Sequence, residues 1–269
     1  MPKKDTIIAD KNIQSLEVEG INNKNLIVKS HKLIEGRYNF NLNQVRLFNH
    51  ILSKIGKDDS DFIQYTVPFD EIVRECGIDR SDVYKNDGQM VKDLSERMVE
   101  RSLKMNVYDE DSNKNIWKAF AIFSVASIVE GSNEVKFKLS QELKPYLLGL
   151  KEQHKAFTKI EKSNIFVLRS AYSIRIYEYA LTKLTNKSIA RSKALGQPFK
   201  NISRVEYEIP IDELRYKLIL EKKYKNLTSL REKVLDKACK EITEKTNISL
   251  SYICVQSPYD KRKVASIKF

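Results

Sequence analysis

Tyr65-Thr66-Val67-Pro68-Phe69-Asp70-Glu71-Ile72 returns 142 residues later as Tyr207-Glu208-Ile209-Pro210-Ile211-Asp212-Glu213-Leu214, with type or chemistry kept everywhere except at Thr66/Glu208. Each copy reads as a short strand ended by proline, which brings no amide hydrogen to a ladder, followed by a helix with acidic residues in its first turn. A second echo lies upstream, where Arg46, Leu47, Phe48, Leu52, Ser53 and Lys54 match Arg175, Ile176, Tyr177, Leu181, Thr182 and Lys183 at an offset of 129. The order is the same in both halves. A repeated unit of roughly 110 residues is too long for a solenoid, whose period is about 20 to 50, so the chain reads as a tandem of two similar domains.

Composition supports two ordinary cores: 269 residues, 41% hydrophobic and 31% charged. No apolar run approaches the roughly 20 residues that span a bilayer, so no membrane partner is expected. Residues 1–25 read as a mobile tail without the apolar core of a signal peptide, which points to the cytoplasm. The cysteines Cys76, Cys239 and Cys254 show no Cys-x-x-Cys spacing and read as small core residues. Charge divides unevenly. Residues 1–154 hold 23 Lys+Arg against 24 Asp+Glu, and residues 155–269 hold 25 against 12, so the whole net charge of +12 comes from the second half. Solubility places no demand on where charge lies, and the confinement favours a polyanion partner for the second domain.

In the first domain, residues 26–150, Asn41 reads as an N-cap for a helix over 42–55. A strand over 62–67 leads through Pro68 into a short helix that stops near Gly77. A longer helix follows over 81–104, and 117–129 with 134–139 read as a hairpin. The second domain, residues 151–269, repeats the plan: a helix over 170–184, a strand over 205–209, a helix over 212–220, a long helix over 227–245, and a closing hairpin of 248–256 and 264–269. This order is that of a winged helix, giving an α+β fold of two tandem winged-helix domains related by internal duplication. In such a unit the longer helix enters the major groove and the ribbon flanks it.

Over residues 26–269 the chain resembles the Rep_3-type plasmid replication initiators. The resemblance is most specific in Ser170, Tyr172, Ser173, Arg175, Tyr177 and Glu178; in Leu230, Arg231, Lys233, Val234, Leu235, Ala238, Glu241 and Ile242; and in Leu250, Ser251, Tyr252 and Ile253. Leu143, Pro145, Tyr146 and Leu147 also fit. The resemblance implies a monomer that binds double-stranded origin repeats, or iterons, in equilibrium with a homodimer that binds an operator inverted repeat and represses its own gene. It also implies contact with the host replication initiator and helicase. Dimerisation carried over from the family falls on the hairpin from Ile116 to Leu139, with Trp117, Phe120, Ile122, Phe123 and Val125 as its candidates. The alternative is that these residues only cover their own domain's core.

DNA-contact candidates follow from the helical wheel of the last long helix. Leu227, Leu230, Val234, Leu235, Ala238 and Ile242 form an apolar stripe, and Asn226, Ser229, Lys233, Asp236, Lys237 and Lys240 face away from it. Arginine forks and asparagine amides can pair bidentately with base edges. Arg231 falls near the stripe; its family match keeps it, with Lys233, as a base-contact candidate. Lys223 and Lys225 precede the helix, and Lys261, Arg262 and Lys263 make a basic hairpin tip. Lys187, Arg191, Lys193 and Lys200 read as a phosphate-tracking loop, since such contacts need charge and no sequence reading. The first domain offers Tyr84, Lys85, Asn86, Gln89 and Lys92, but Asp79, Asp82 and Asp87 lie among them and weaken its expected hold on DNA.

Catalysis finds little support. His31, His50 and His154 lack metal-ligand spacing, no Gly-rich phosphate loop is present, and thirteen tyrosines are unaccompanied by a His-x-His. The sequence therefore reads as a non-enzymatic DNA-binding initiator without cofactor or metal. A repressor of the same fold is the first alternative, and a nicking endonuclease of the rolling-circle type the second.

Overall fold

The computed structural model describes residues 25–56, 58–109, 112–150, 156–196, 203–260 and 262–269. Residues 1–24 of the expected N-terminal tail, together with Lys200 and Lys261, lie outside them. The chain forms two compact units, the first ending at Phe166 and the second beginning at Val167.

The first unit opens with β1 (Leu26–Ser30), α1 (His31–Glu35) and α2 (Leu42–Leu52). α2 starts at a capping box: Asn41 Oδ1 accepts from the Gln44 amide and Gln44 Oε1 from the Asn41 amide, both at 3.0 Å. β2 (Gln64–Pro68) runs into α3 (Phe69–Cys76), whose end is set by Gly77 in the left-handed region at φ 65°. Then come α4 (Arg80–Tyr84), α5 (Gln89–Val99), β3 (Ser102–Asp109), β4 (Lys114–Ala121), β5 (Phe123–Ser127), β6 (Glu134–Leu139), a 3₁₀ turn at Gln141–Leu143, α6 (Lys144–Leu147), β7 (Phe157–Glu161) and α7 (Lys162–Phe166). The second unit comprises α8 (Ala171–Leu195), β8 (Glu208–Pro210), α9 (Ile211–Lys217), α10 (Leu227–Leu230), a π turn at Arg231–Leu235, α11 (Asp236–Lys245), β9 (Ile253–Gln256) and β10 (Val264–Lys268).

The repeat read from the sequence is matched by topology. β2-β6-β5 and β8-β10-β9 are antiparallel three-stranded sheets with the same strand order, each led by the repeated strand and proline. The repeated arginines are both buried, but they do different work. Arg46 donates to the carbonyls of Cys76 and Phe166 at 2.8 and 3.0 Å, whereas Arg175 reaches Tyr179 Oη at 3.0 Å and the fully buried Glu178 carboxylate at 3.4 Å. A buried cation without such partners would cost several kcal/mol, so this echo marks fold positions rather than a site.

In the first core Phe48 meets Tyr38, Phe40 and Phe123 edge-on, and Phe123 packs on Phe137 at 5.2 Å. The second core is built from Leu214, Leu230, Val234, Leu235, Ala238, Ile242 and Ile267, with Tyr177 donating to Asn247 Oδ1 at 2.8 Å.

Five expectations need correction. The expected helix over 81–104 is broken by Asn86, Asp87 and Gly88, all at positive φ, and it stops at Val99. Beyond it Leu103, Met105 and Val107 are buried alternately, a period-two pattern that makes β3. The expected strand over 117–129 is two strands in two sheets, because the chain turns at Ile122: β4 pairs with β3 and β5 with β6. The helix expected to end near Leu184 continues to Leu195, where Gly196 closes it at φ 58°. The strand expected from Ile248 starts only at Ile253. Finally, the division falls at 166/167 instead of 150/151, because β7 pairs with β1 from Leu26↔Glu161 to Ser30↔Phe157 and so belongs to the first unit. With that boundary the residues up to Phe166 hold 26 basic and 25 acidic side chains and those after it 22 and 11, so the excess stays in the second unit.

Candidate nucleic-acid interface

The turn before the last long helix is shaped by one side chain. Arg215, on α9, donates Nη1 to the carbonyls of Tyr224 at 2.8 Å and Lys223 at 3.3 Å, and Nη2 to that of Lys225 at 3.1 Å. Tyr224 sits at φ 50°, an unfavourable conformation for a residue with a Cβ, which these bonds hold in place. The result is an ordered turn presenting Lys222, Lys223 and Lys225 to solvent. Asn226 then caps the helix, its Oδ1 accepting from the Ser229 amide at 2.7 Å. That oxygen is therefore committed to the backbone, and Asn226 helps first by fixing where the helix begins.

Along the helix Leu230, Val234, Leu235, Ala238 and Ile242 are buried while Arg231, Lys233, Asp236, Lys237 and Lys240 are exposed and Ser229 is half-buried. Arg231, expected along the apolar edge, stands in solvent. Its Nε donates to Tyr252 Oη at 3.3 Å, and that hydroxyl donates to Asp236 Oδ1 at 2.6 Å. Burial, then the bond to Asp236, holds the Tyr252 pKa above its ordinary value, so the phenol keeps the proton it donates. Arg231 and Asp236 flank the π turn, closed by the Asp236 amide on the Arg231 carbonyl.

The wing is the β9–β10 hairpin. Its tip is held by Ser257 N–H on Lys263 O at 2.8 Å and Lys263 N–H on Asp260 O at 2.9 Å. Arg262 bonds Asp260 Oδ1 through its amide and Nε, so part of the tip's charge is offset, while Lys263 is exposed and Tyr259 is 98% exposed. Of the residues expected in a phosphate-tracking loop, Lys187, Arg191 and Lys193 lie instead in the C-terminal turns of α8. Lys187 and Arg191 lie one helical turn apart on one face, and all three of Lys187, Arg191 and Lys193 are exposed.

The first unit's counterpart is muted. Tyr84 Oη donates to Asp70 at 2.7 Å, and Arg80 salt-bridges the same carboxylate at 2.5 Å while lying 4.7 Å over the Tyr84 ring. Gln89 Nε2 is taken by Asp93 at 2.6 Å. Lys85, Asn86 and Lys92 are exposed, but so are Asp79, Asp82, Asp87, Glu96 and Glu100 around them. Of the dimerisation candidates, Ile122 and Phe123 are core residues at 1% and 0% exposure, Phe120 is half-buried and stacked on Tyr146 at 6.4 Å, and Trp117 and Val125 are 62% and 43% exposed. Trp117 shares its ribbon face with Tyr108, 55% exposed, since the pairs Asn106↔Trp117 and Tyr108↔Asn115 alternate along β3–β4.

Burial pushes the Cys76 and Cys239 thiols up to about 12, far from a nucleophilic thiolate at neutral pH. Among the described residues no cluster of three His, Cys, Asp or Glu side chains could hold a metal, and no helix is long and apolar enough to cross a membrane.

Arg215, Tyr252 and Tyr259 are not marked by their sequence context as contacts or organisers of the interface. For Arg215 the only signal is its position ahead of a lysine-rich junction.

Two three-stranded sheets of one order, each with a helix pair ahead of its wing, define a tandem winged-helix protein. Family models agree: residues 26–181 match the first winged-helix domain of initiator replication proteins and residues 210–269 match the second. The chain belongs to this replication initiator family. A replication initiation protein of Escherichia coli is 31% identical over 134 residues, 49% of this chain but only 37% of that relative's length. The crystal structure of Pi initiator protein in complex with iteron DNA matches with a TM-score of 0.64 over 92% of this chain and 97% of that one, at 19% identity.

Proposed function

We propose that the chain initiates plasmid replication by binding repeated double-stranded origin sequences through its winged helices, without a catalytic step of its own. The observation that carries this is the cationic rim of the second unit. Lys222, Lys223, Lys225, Arg231, Lys233, Lys237 and Lys240 on the turn and helix, and Lys263 on the wing, all stand in solvent on a unit with twice as many basic as acidic residues. A winged helix sets its long helix in a major groove with the ribbon against the neighbouring backbone, and these side chains fit that use. The family membership and the iteron DNA held by the structurally similar initiator support the same reading. Host initiator and helicase then act on the opened origin, and the work is cytoplasmic.

Repression of its own gene by a dimer is the accompanying proposal, favoured by the solvent-facing Trp117 and Tyr108 on one ribbon face. Footprinting on DNA flanking the protein's own gene tests both. Direct repeats protected over roughly 20 bp for each monomer are expected, with one unit per major-groove segment. Protection confined to a promoter inverted repeat would leave only the repressor, and metal-dependent nicking of supercoiled plasmid would replace both. Trp117→Glu should shift sedimentation towards monomer while repeat binding persists.

A further inference from the structure

We infer that Tyr252 is a positioning residue that aims Arg231 at a single base pair, and that the π turn in the recognition helix exists to make this possible. The inference rests on the DNA-binding reading above and adds to it a residue, a direction and a reason for the helix irregularity.

Five residues of regular α-helix separate two side chains by about 140° around the axis, so one outside group could not touch both. A π turn is closed by a bond between residues five apart and stacks them instead. Here that bond joins the Asp236 amide to the Arg231 carbonyl. Asp236 and Arg231 therefore share a face, and Tyr252, the residue just ahead of β9, spans them. The relay has a direction. Asp236 accepts the phenolic hydrogen at 2.6 Å, which turns the oxygen's lone pairs towards Arg231, and Nε donates to them at 3.3 Å. The ring itself is anchored by Phe269, with centroids 6.3 Å apart, and Phe269 stacks on Tyr207 at 5.2 Å.

Holding Nε from outside leaves the Nη1/Nη2 edge pointing away from the tether, the edge that meets guanine O6 and N7 as a fork. An unrestrained arginine loses considerable rotamer freedom on binding; one already restrained at Nε loses less, and the gain is confined to the base pair that it reads. Tyr252 touches no base in this arrangement. It acts through Arg231, and its effect must appear as selectivity at one place in the site.

The test uses the full chain and a duplex of about two helical turns selected by the wild-type protein from a randomised pool. Affinities for that duplex and all its single-base variants are compared for wild type, Arg231→Lys, Tyr252→Phe and Asp236→Ala. Arg231→Lys should lose discrimination at one or two adjacent base pairs. Tyr252→Phe keeps the ring and its packing, and Asp236→Ala removes the acceptor at an exposed position, so both should fold. Each should lose discrimination at the same base pairs by about three- to tenfold, with the rest of the profile kept. Tyr252→Phe should also leave the slope of log K against log salt unchanged, because it removes no charge. Should Tyr252→Phe and Asp236→Ala retain the wild-type profile, or weaken all duplexes evenly in step with a lower Tm, the inference is wrong while DNA recognition stands. If the wild-type protein enriches no sequence at all, the DNA-reading proposal fails and takes this inference with it.

Discussion

Arg215 offers the cleanest separation of shape from charge in the interface. Its guanidinium makes three bonds to consecutive carbonyls, Lys223, Tyr224 and Lys225, and only the bond to Tyr224 is partly shielded from water. At about 0.5–1.5 kcal/mol net for each bond, with the two exposed ones at the low end, the clamp contributes about 1.5–2.5 kcal/mol to ordering the turn. Arg215→Lys keeps the charge but cannot present a fork to several carbonyls. The turn would then sample other conformations, Tyr224 would leave its positive φ, and the ordering would have to be supplied on binding. Affinity for origin-repeat DNA should fall about twelve- to seventyfold by the same arithmetic. The helical core lies elsewhere, so the Tm should drop by only a few degrees. Fluorescence anisotropy across a salt series separates the causes: a clamp defect lowers the whole line of log K against log salt without changing its slope. An Arg215→Lys variant that binds as tightly as wild type would refute the reasoning, and so would one whose loss disappears at low salt.

Three further outcomes are expected. Lys187→Gln and Arg191→Gln should each reduce the salt slope by about 0.9 and weaken selected and scrambled duplexes alike, as phosphate contacts from the end of α8 require; anisotropy titrations read this directly. Gly88→Ala should destabilise by about 1–3 kcal/mol in urea unfolding, because Gly88 holds φ 71° and a Cβ would lie 2.6 Å from the Phe69 ring, whereas Gly131→Ala, at φ 73° with nothing within 4 Å, should cost less. Stability should also fall with acid. Burial keeps the His50 pKa below 6.5 despite its 2.6 Å bond to Glu71, helped by Lys162 and Lys54, so the unfolded chain takes up a proton that the folded chain resists. Stability is then full above about pH 6.5 and declines below it. Glu71 extends the decline at lower pH: partial burial opposes its ionisation, but the bonds from Lys54 and His50 win and hold its pKa down. His50→Gln should flatten the upper part of that decline in urea midpoints measured from about pH 8 to 5.

The repeated strand-proline-helix was legible because each of its steps is local: alternation, a missing donor, and acid in a first turn. The Asn41 cap and the Gly77 stop were legible for the same reason. The β3–β4 ribbon was not. Leu103, Met105 and Val107 alternate with charged and polar residues directly after a helix, and the helical pattern ahead of them ran on smoothly in sequence. The continuation of α8 was hidden because Thr185 and Ser188, which spend their hydroxyls on the carbonyls of Leu181 and Leu184, resemble loop residues on paper. The basic side chains of the interface were visible as types and positions. Their organisers were not, because Arg215 and Tyr252 act across a turn and between a helix and a strand, and neither relation has a sequence period. The π turn left the apolar stripe intact and so gave no sign of itself.

The strand order common to both sheets also bears on how each unit comes to be folded. In each, the middle strand is the last of the three along the chain: β6 lies between β2 and β5, and β10 lies between β8 and β9. Until that strand arrives, its two neighbours have no partner in the sheet. For β8 the wait spans the whole recognition helix and half the wing, a long loop to close before any ladder bond forms. The sheet beneath the basic helix is therefore complete only with the last strand, whose end Tyr207 and Phe269 join by a reciprocal pair of backbone bonds at 3.1 and 2.9 Å. A nascent or clipped chain lacking that strand would carry the basic helix without the frame that orients it, so the proposed DNA binding should require the last strand.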